Sequence, residues 1–267
     1  MNAITNTNDS RADLMMASYL LVTRQLRATL RQPVWLIGGL MTPLLYLALF
    51  APLLSGLGGG LANTPGYAGG SVVDGFMPGM LVMFAFGAGT GTGWIVINEL
   101  NAGVIERLRV SPVSRLAILL GTTIKDAIMF FIPAIIVVAV STLFGFHIHW
   151  GGLTLTILLL AMLTATVSAF VGAVGLTVKL IGSIAAVVTT MQLPLTLLAG
   201  ILLPMSLGPA WLRGLAHINP LYYATEAARH MCANQFGSPV WVGFCVIGGL
   251  LVITLLWGNR VYNKVVA

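Results

Sequence analysis

Charge is the property this 267-residue sequence has least of: Asp, Glu, Lys and Arg make up 7% of it, against 58% hydrophobic residues. A water-soluble domain gives about a quarter of its residues to charge, so water is not the main solvent of this chain. No charged residue stands between Arg31 and Asp74, between Asp74 and Glu99, or between Lys179 and Arg213. These runs are apolar all round and lack the polar stripe that covers the outside of a soluble helix or strand. Cysteine is nearly absent too. Cys232 and Cys245 form neither a CxxC pair nor a metal-ligand spacing, which removes a thiol redox motif and a zinc site from consideration and leaves them as packing residues. The phosphate-cradling pattern GxxxxGK followed by Ser or Thr does not occur, since Lys125, Lys179 and Lys264 follow Ile, Val and Asn. No ATPase site is therefore recognisable, and the expectation is a protein that is not itself an enzyme, with no catalytic residue and no cofactor. The 13 basic residues that outnumber the acids to give a net charge of +6 gather at the ends of the apolar runs. No basic and aromatic stripe crosses a polar domain, so nucleic acid is not an expected partner.

What remains is a set of segments long enough to cross a hydrocarbon core of about 30 Å, which takes roughly 20 apolar residues per helix. They fall at about 34–54, 75–98, 127–146, 153–178, 181–204 and 240–257. The expected architecture is a single all-α membrane domain, 1–267, with six transmembrane helices. Residues 1–13 are polar and mixed in charge, unlike a cleaved signal peptide. Over 14–32, Val22, Leu26 and Leu30 repeat every four residues while Arg24, Arg27 and Arg31 share another face. That pattern predicts a helix lying on the membrane surface among anionic lipid headgroups, ended by Pro33. Arg24, Arg27, Arg31, Arg107, Arg109, Arg115, Lys179, Arg260 and Lys264 fall at alternate span ends. The positive-inside rule then puts both termini and residues 99–115 in the cytoplasm of a multi-pass protein of the cytoplasmic (inner) membrane. Residues 55–73, 147–152 and 205–239 fall outside. The last of these carries Leu207, Trp211, Leu212, Leu215 and Leu221 between Pro204, Pro209 and Pro220, too apolar for an ordinary loop. It is expected to re-enter the membrane, buried in protein, where irregular backbone survives at depth.

Two stretches stand out. The cytoplasmic one holds Glu99, Gly103, Glu106, Arg107, Leu108, Arg109, Ser111, Pro112 and Arg115. A short helix over 104–110, ended by Ser-Pro, offers forked guanidinium donors to a partner's carboxylates; it reads equally as a solvated loop that merely obeys the charge rule. Taken with its spacing, E-x-x-x-G-x-x-E-R-L-R-V-S-P-V-S-R resembles the cytoplasmic coupling segment of the type-two ABC exporter permeases, the drug and lipid exporter group that includes daunorubicin-resistance permeases. The second stretch, Gly200 with Pro204, Trp211, Asn219-Pro220-Leu221-Tyr222-Tyr223 and Glu226 to Arg229, resembles that family's signature before the last span. The resemblance covers essentially the whole chain. Positions 100 and 101, Leu and Asn, lack the further charges many members carry.

The resemblance implies the permease subunit of an ATP-driven exporter for a hydrophobic or amphipathic drug, lipid or secondary metabolite. It implies membrane lipids, two copies of a cytosolic ATPase holding ATP and Mg, and a second permease, as a homodimer or a pair of related permeases, for partners. Under it, Pro204, Asn219, Pro220, Tyr222, Tyr223, Glu226 and Arg229 belong to an external gate or re-entrant element. A polysaccharide or glycolipid exporter of the same superfamily is the nearer rival, with thin support from lone Trp94 inside a span. An ion-coupled secondary transporter would need mid-membrane carboxylates that the spans nearly lack.

Smaller features carry expectations of their own. Lys125 and Asp126 begin the third apolar run and are expected at the cytoplasmic edge, as a snorkelling lysine and a solvated aspartate, with a docking or gating contact as the alternative. Gly87, Gly89, Gly91 and Gly93 give overlapping GxxxG spacings for close helix packing. Glu226 and Arg229, three apart, would pair on a helix, as a staple or a gate. Asp74 is expected to cap the second span, and Met77, Met80, Met83, Phe84 and Phe86 to pack the core, with the lining of an adaptable apolar cavity as the alternative. The His147-x-His149 spacing lacks local acidic or thiol companions for a metal. No substrate-binding residue is legible.

Overall fold

In a hydrocarbon solvent each backbone amide and carbonyl must find its partner within the chain, and uninterrupted apolar segments answer this by becoming helices. The computed structural model describes residues 22, 23, 26, 33–56, 72–102, 115–178, 180–201, 205 and 208–266. Among these residues the chain is helical throughout, with no strand: α1 (Pro33–Gly56), α2 (Val72–Thr90), α3 (Thr92–Asn101), α4 (Arg115–Leu143), α5 (Trp150–Val178), α6 (Ile181–Leu198), α7 (Ala210–Ala216), α8 (Pro220–Cys232) and α9 (Ser238–Val266). Five stretches are long and apolar enough to cross a membrane: Val73–Asn101, Ile118–Leu143, Trp150–Val178, Ile181–Leu198 and Ser238–Lys264. The 24-residue α1 contains the shorter apolar stretch Gly39–Leu49. Nearly all of the expected surface helix over 14–32 lies outside the described residues, as do 103–114 and Pro204.

α5 is the centre of the bundle, packed by α2, α3, α4, α8 and α9, and most of its residues are buried. Its buried face is a run of small residues, including Ala161, Ala165, Ser168, Ala169, Gly172 and Ala173, which lets neighbouring backbones come close. α6 is the opposite case: Ile184 is the one buried residue described on it, and Leu193 and Leu197 face outward. Large side chains such as Phe76, Met77, Leu81 and Phe130 fill the core, and Phe84 stacks on Phe130 with centroids 5.9 Å apart. Met77, Met80 and Phe86 are buried in the core cluster and Met83 and Phe84 pack against that cluster, as expected of core residues. The described prolines inside helices, such as Pro78, Pro133 and Pro194, are tolerated because neighbouring helices support the opened backbone.

The structure moves several expected boundaries. The third span was expected over 127–146, yet α4 starts at Arg115 and its membrane stretch runs from Ile118 to Leu143. Lys125 and Asp126 therefore sit inside the span, not at its edge. The second span continues to Asn101 with a single turn residue, Gly91, separating α2 from α3. α6 ends at Leu198, short of the expected 204, because Gly200 takes φ +67°. That left-handed backbone is open to glycine at little cost and stops the helix. Asp74 lies in the first turn of α2, where a carboxylate favours the helix's positive end. Two residues inside the helix, it does not stand at the expected capping position; it accepts a hydrogen bond from the His147 amide at 2.9 Å and meets the His147 ring at 3.3 Å. This ties α2 to the turn after α4.

Candidate functional site

The most constrained region lies at the end of the bundle away from Asn101 and Arg115. Asn219 caps α8: its Oδ1 accepts from the Leu221 amide at 3.0 Å, and Pro220 occupies the first helical turn, where its missing amide hydrogen costs nothing. The same side chain donates through Nδ2 to the Leu195 carbonyl of α6 at 2.6 Å. One asparagine thus both starts α8 and fixes it to α6. Ten positions on, the buried Arg229 spreads its guanidinium over three elements. Nε donates to the Gly75 carbonyl of α2 at 3.0 Å, and Nη2 donates to the Gly200 and Ile201 carbonyls past the end of α6 at 2.6 and 3.2 Å. Nη1 reaches Glu226 Oε1 at 3.4 Å, the i,i+3 pair expected from sequence. The guanidinium fork suits this task, since five fixed donors can satisfy several carbonyls left open where helices end.

The tight fit is visible from the glycines. A Cβ at Gly79 would stand 2.6 Å from the Ile201 carbonyl oxygen, and one at Gly152 would collide with the Met231 carbonyl at the end of α8. Tyr223 donates its hydroxyl to the His217 carbonyl at 2.9 Å, while the His217 ring meets Tyr222 edge-on with centroids 5.2 Å apart. These contacts join α7 to α8, and α7 itself leaves Trp211 and Leu215 exposed. Glu226→Gln is expected to lower folded yield only modestly. Its contact is long and partly exposed, and Arg229 keeps three carbonyls; folded yield by gel filtration in detergent, read beside transport, separates a staple from a gate.

A second polar site lies inside the bundle, where the sequence promised a solvated edge. Lys125 and Asp126 are both buried, with Lys125 Nζ 2.6 Å from Asp126 Oδ1. The other carboxylate oxygen, Asp126 Oδ2, accepts from Ser168 Oγ of α5 at 2.6 Å and from Thr92 Oγ1 of α3. Thr92 and Ser168 hydroxyls also meet each other at 2.8 Å. An ion in apolar surroundings is strongly penalised unless paired and hydrogen-bonded; here a neighbouring ammonium and two hydroxyls meet that condition, which is why the pair need not snorkel. Thr92 and Ser168 were not singled out from sequence.

Of the predicted coupling residues, Glu99 lies near the end of α3 and Arg115 opens α4. Gly103, Glu106, Arg107, Leu108, Arg109, Ser111 and Pro112 lie outside the described residues. The glycine stripe splits in use: a Cβ at Gly89 would stand 2.7 Å from the Thr164 carbonyl of α5, and Gly93 is closed in by Val171 and Ile184, whereas Gly87 faces open space. Among the described residues no group of three metal-binding side chains exists, so His147 and His149 gain no metal partner set there.

Between α2, α5, α6 and α9 lies a cavity of about 280 Å³, lined by Phe86, Val167, Phe170, Val187, Met191 and Leu250 among others. Its threonines are spent on their own helices: Thr90 donates to the Gly87 carbonyl, Thr166 to that of Met162 and Thr254 to that of Leu250. A ligand there meets hydrocarbon and no free hydroxyl donor from these three.

An all-helical bundle with several membrane-crossing stretches, an apolar cavity and a locked end is the form of a multi-pass membrane transport component. The profile of the ABC-2 type transporter family matches residues 17–232, and the chain belongs to that family. Its members are membrane transport components that work with an ABC ATPase. The chain is 24% identical to the daunorubicin resistance ABC transporter permease protein DrrB1 of Streptomyces coeruleorubidus, over 96% of this chain and 89% of that one. It is 26% identical to a ycf38 transport permease of Cyanophora paradoxa, over 81% of this chain and 74% of that one. A shorter match, 31% identical over 47% of this chain and 49% of the other, is to the inner membrane transport permease YadH of Escherichia coli strain K12.

Proposed function

We propose that this chain is the permease subunit of an ATP-driven exporter that moves a hydrophobic or amphipathic compound, a drug, lipid or secondary metabolite, out of the cytoplasm or inner leaflet. The observation that carries the reading is the apolar cavity beside α6, whose three threonine hydroxyls are already bonded to backbone. Such a lining favours hydrocarbon or aromatic surface and offers little to a sugar. The drug-resistance role in the name of the Streptomyces relative agrees with that cargo class.

In this reading α1, at 24 residues, is the sixth span, since about 36 Å of helix exceeds the hydrocarbon thickness. Both termini then face the cytoplasm of the inner membrane. The Asn219 and Arg229 contacts hold α7 and α8 as the re-entrant element, closing the outer end of the pathway. Two copies of a cytosolic ATPase bind ATP and Mg and press on residues 99–115, with Leu108 packing against the ATPase and Glu106, Arg107 and Arg109 setting its orientation. The outward apolar face of α6 fits a second copy of the chain, giving a homodimer.

Reversing Glu106 to Arg tests the coupling role. Association with the ATPase, measured by copurification, is expected to weaken roughly tenfold or more, the scale of a lost interfacial charge contact, and transport into vesicles to fall with it. Unchanged association and transport would remove residues 99–115 from the mechanism.

A further inference from the structure

The buried quartet of Lys125, Asp126, Thr92 and Ser168 has no part in cargo contact or in the outer end, and its position in the chain gives it a distinct task. Thr92 precedes Asn101, the last residue of α3, by nine positions, and Asp126 follows Ile118 by eight. At 1.5 Å per residue the joint stands about 14 Å along α3 from Asn101 and about 12 Å into the apolar stretch of α4. α3 and α4 are the helices that flank residues 99–115 in sequence. Their hydroxyl and carboxylate close the pair well above that segment, and Ser168 ties the same carboxylate to the central helix α5. Gly91 sits immediately before Thr92 at the break between α2 and α3, so the tied part of the second span begins at an irregular turn. Thr92 also packs near Gly172 of α5, where a Cβ would stand 3.2 Å from its methyl group.

We propose that Asp126 is a positioning residue for coupling: it clamps α3 to α4 and both to α5, so that a push on residues 99–115 moves the two helices as one lever. Resting on the coupling reading given above, the clamp assigns each member a part. Thr92 and Ser168 hold the carboxylate from two helices. Lys125 neutralises it without leaving α4, so the joint keeps its hydrogen bonds in a medium where a bare carboxylate would be expelled.

The test uses the full chain in lipid vesicles with spin labels at the exposed positions Asn98 and Ile124, Cys245 replaced by Ser. In the parent, a single narrow distance between α3 and α4 is expected. Thr92→Val, which removes the hydroxyl and keeps the volume, should broaden it, and Thr92→Ser should restore it. With the cytosolic ATPase added, Thr92→Val and Ser168→Ala should retain ATP hydrolysis while cargo moved per ATP, read with a fluorescent short-chain phospholipid and a planar aromatic amphiphile, falls roughly five-fold or more, the scale of one lost buried interaction. An unchanged distance distribution in Thr92→Val, or an unchanged ratio of cargo to ATP in both variants, overturns the clamp. The parent arm reports separately on the exporter reading: no ATP-driven movement of either probe by the parent counts against that reading, while the distance measurement still decides the clamp.

Discussion

Arg229→Met is expected to give the largest loss of folded protein of any single change at the end of the bundle that holds α8, roughly 3–5 kcal/mol, the scale of removing one partner from a buried charged network. At least four contacts end together: those to the Gly75, Gly200 and Ile201 carbonyls and that to Glu226. The Gly200 and Ile201 carbonyls lie past the end of α6, where Gly200 turns the chain at φ +67°, so Arg229 is what ties them to α8 and α2 among the described residues. Glu226 loses its guanidinium partner as well. Arg229→Lys keeps the charge but presents one point of donors in place of a fork, so it should recover only part of the loss. Thermal unfolding and monodisperse yield in detergent measure both; a methionine variant as stable as the parent would show that α8 is held by packing alone.

Gly152→Val should be nearly as severe, and by a different route. Gly152 is buried near the start of α5, and any Cβ there would run into the backbone carbonyl of Met231. A flexible side chain can yield to an intruding methyl group, but a carbonyl in the last turn of α8 cannot move without shifting that helix. Overpacking a close-packed site costs typically about 1–3 kcal/mol, occasionally more, and a backbone obstacle puts this case at the upper end. Gly151, one residue earlier, faces open space, so Gly151→Val is the matched control and should behave like the parent. Equal stability of the two variants in a thermal-shift assay would mean that α5 and α8 are less closely apposed than described.

The membrane character and the helices were legible because charge scarcity over long runs leaves little else possible. The Glu226–Arg229 pair was legible from its helical spacing, whereas Pro220, read as a breaker, opens α8 beside the cap Asn219. What the spacing concealed is the greater part of Arg229's work, since backbone carbonyls belong to all residues and leave no mark in a sequence. The buried pair was hidden for a related reason. Lys125 and Asp126 looked like an edge because nothing near them is polar enough to keep them inside, yet the Asp126 partners Thr92 and Ser168 lie 34 and 42 residues away. Threonines and serines are common in these spans, and most of those described turn back on their own helix; sequence does not distinguish them from Thr92 and Ser168, or from Thr164 and Thr156, which also reach a neighbouring helix. Gly152 was invisible beside Gly151, because only the arriving α8 backbone separates them.

The most direct measurement is ATP-dependent export from lipid vesicles holding this chain, with and without its cytosolic ABC ATPase, scored with lipid-like and aromatic amphiphilic probes. Movement that requires both the ATPase and hydrolysable ATP is expected. The same movement by this chain alone, without any nucleotide-hydrolysing partner, would contradict its assignment as a driven permease.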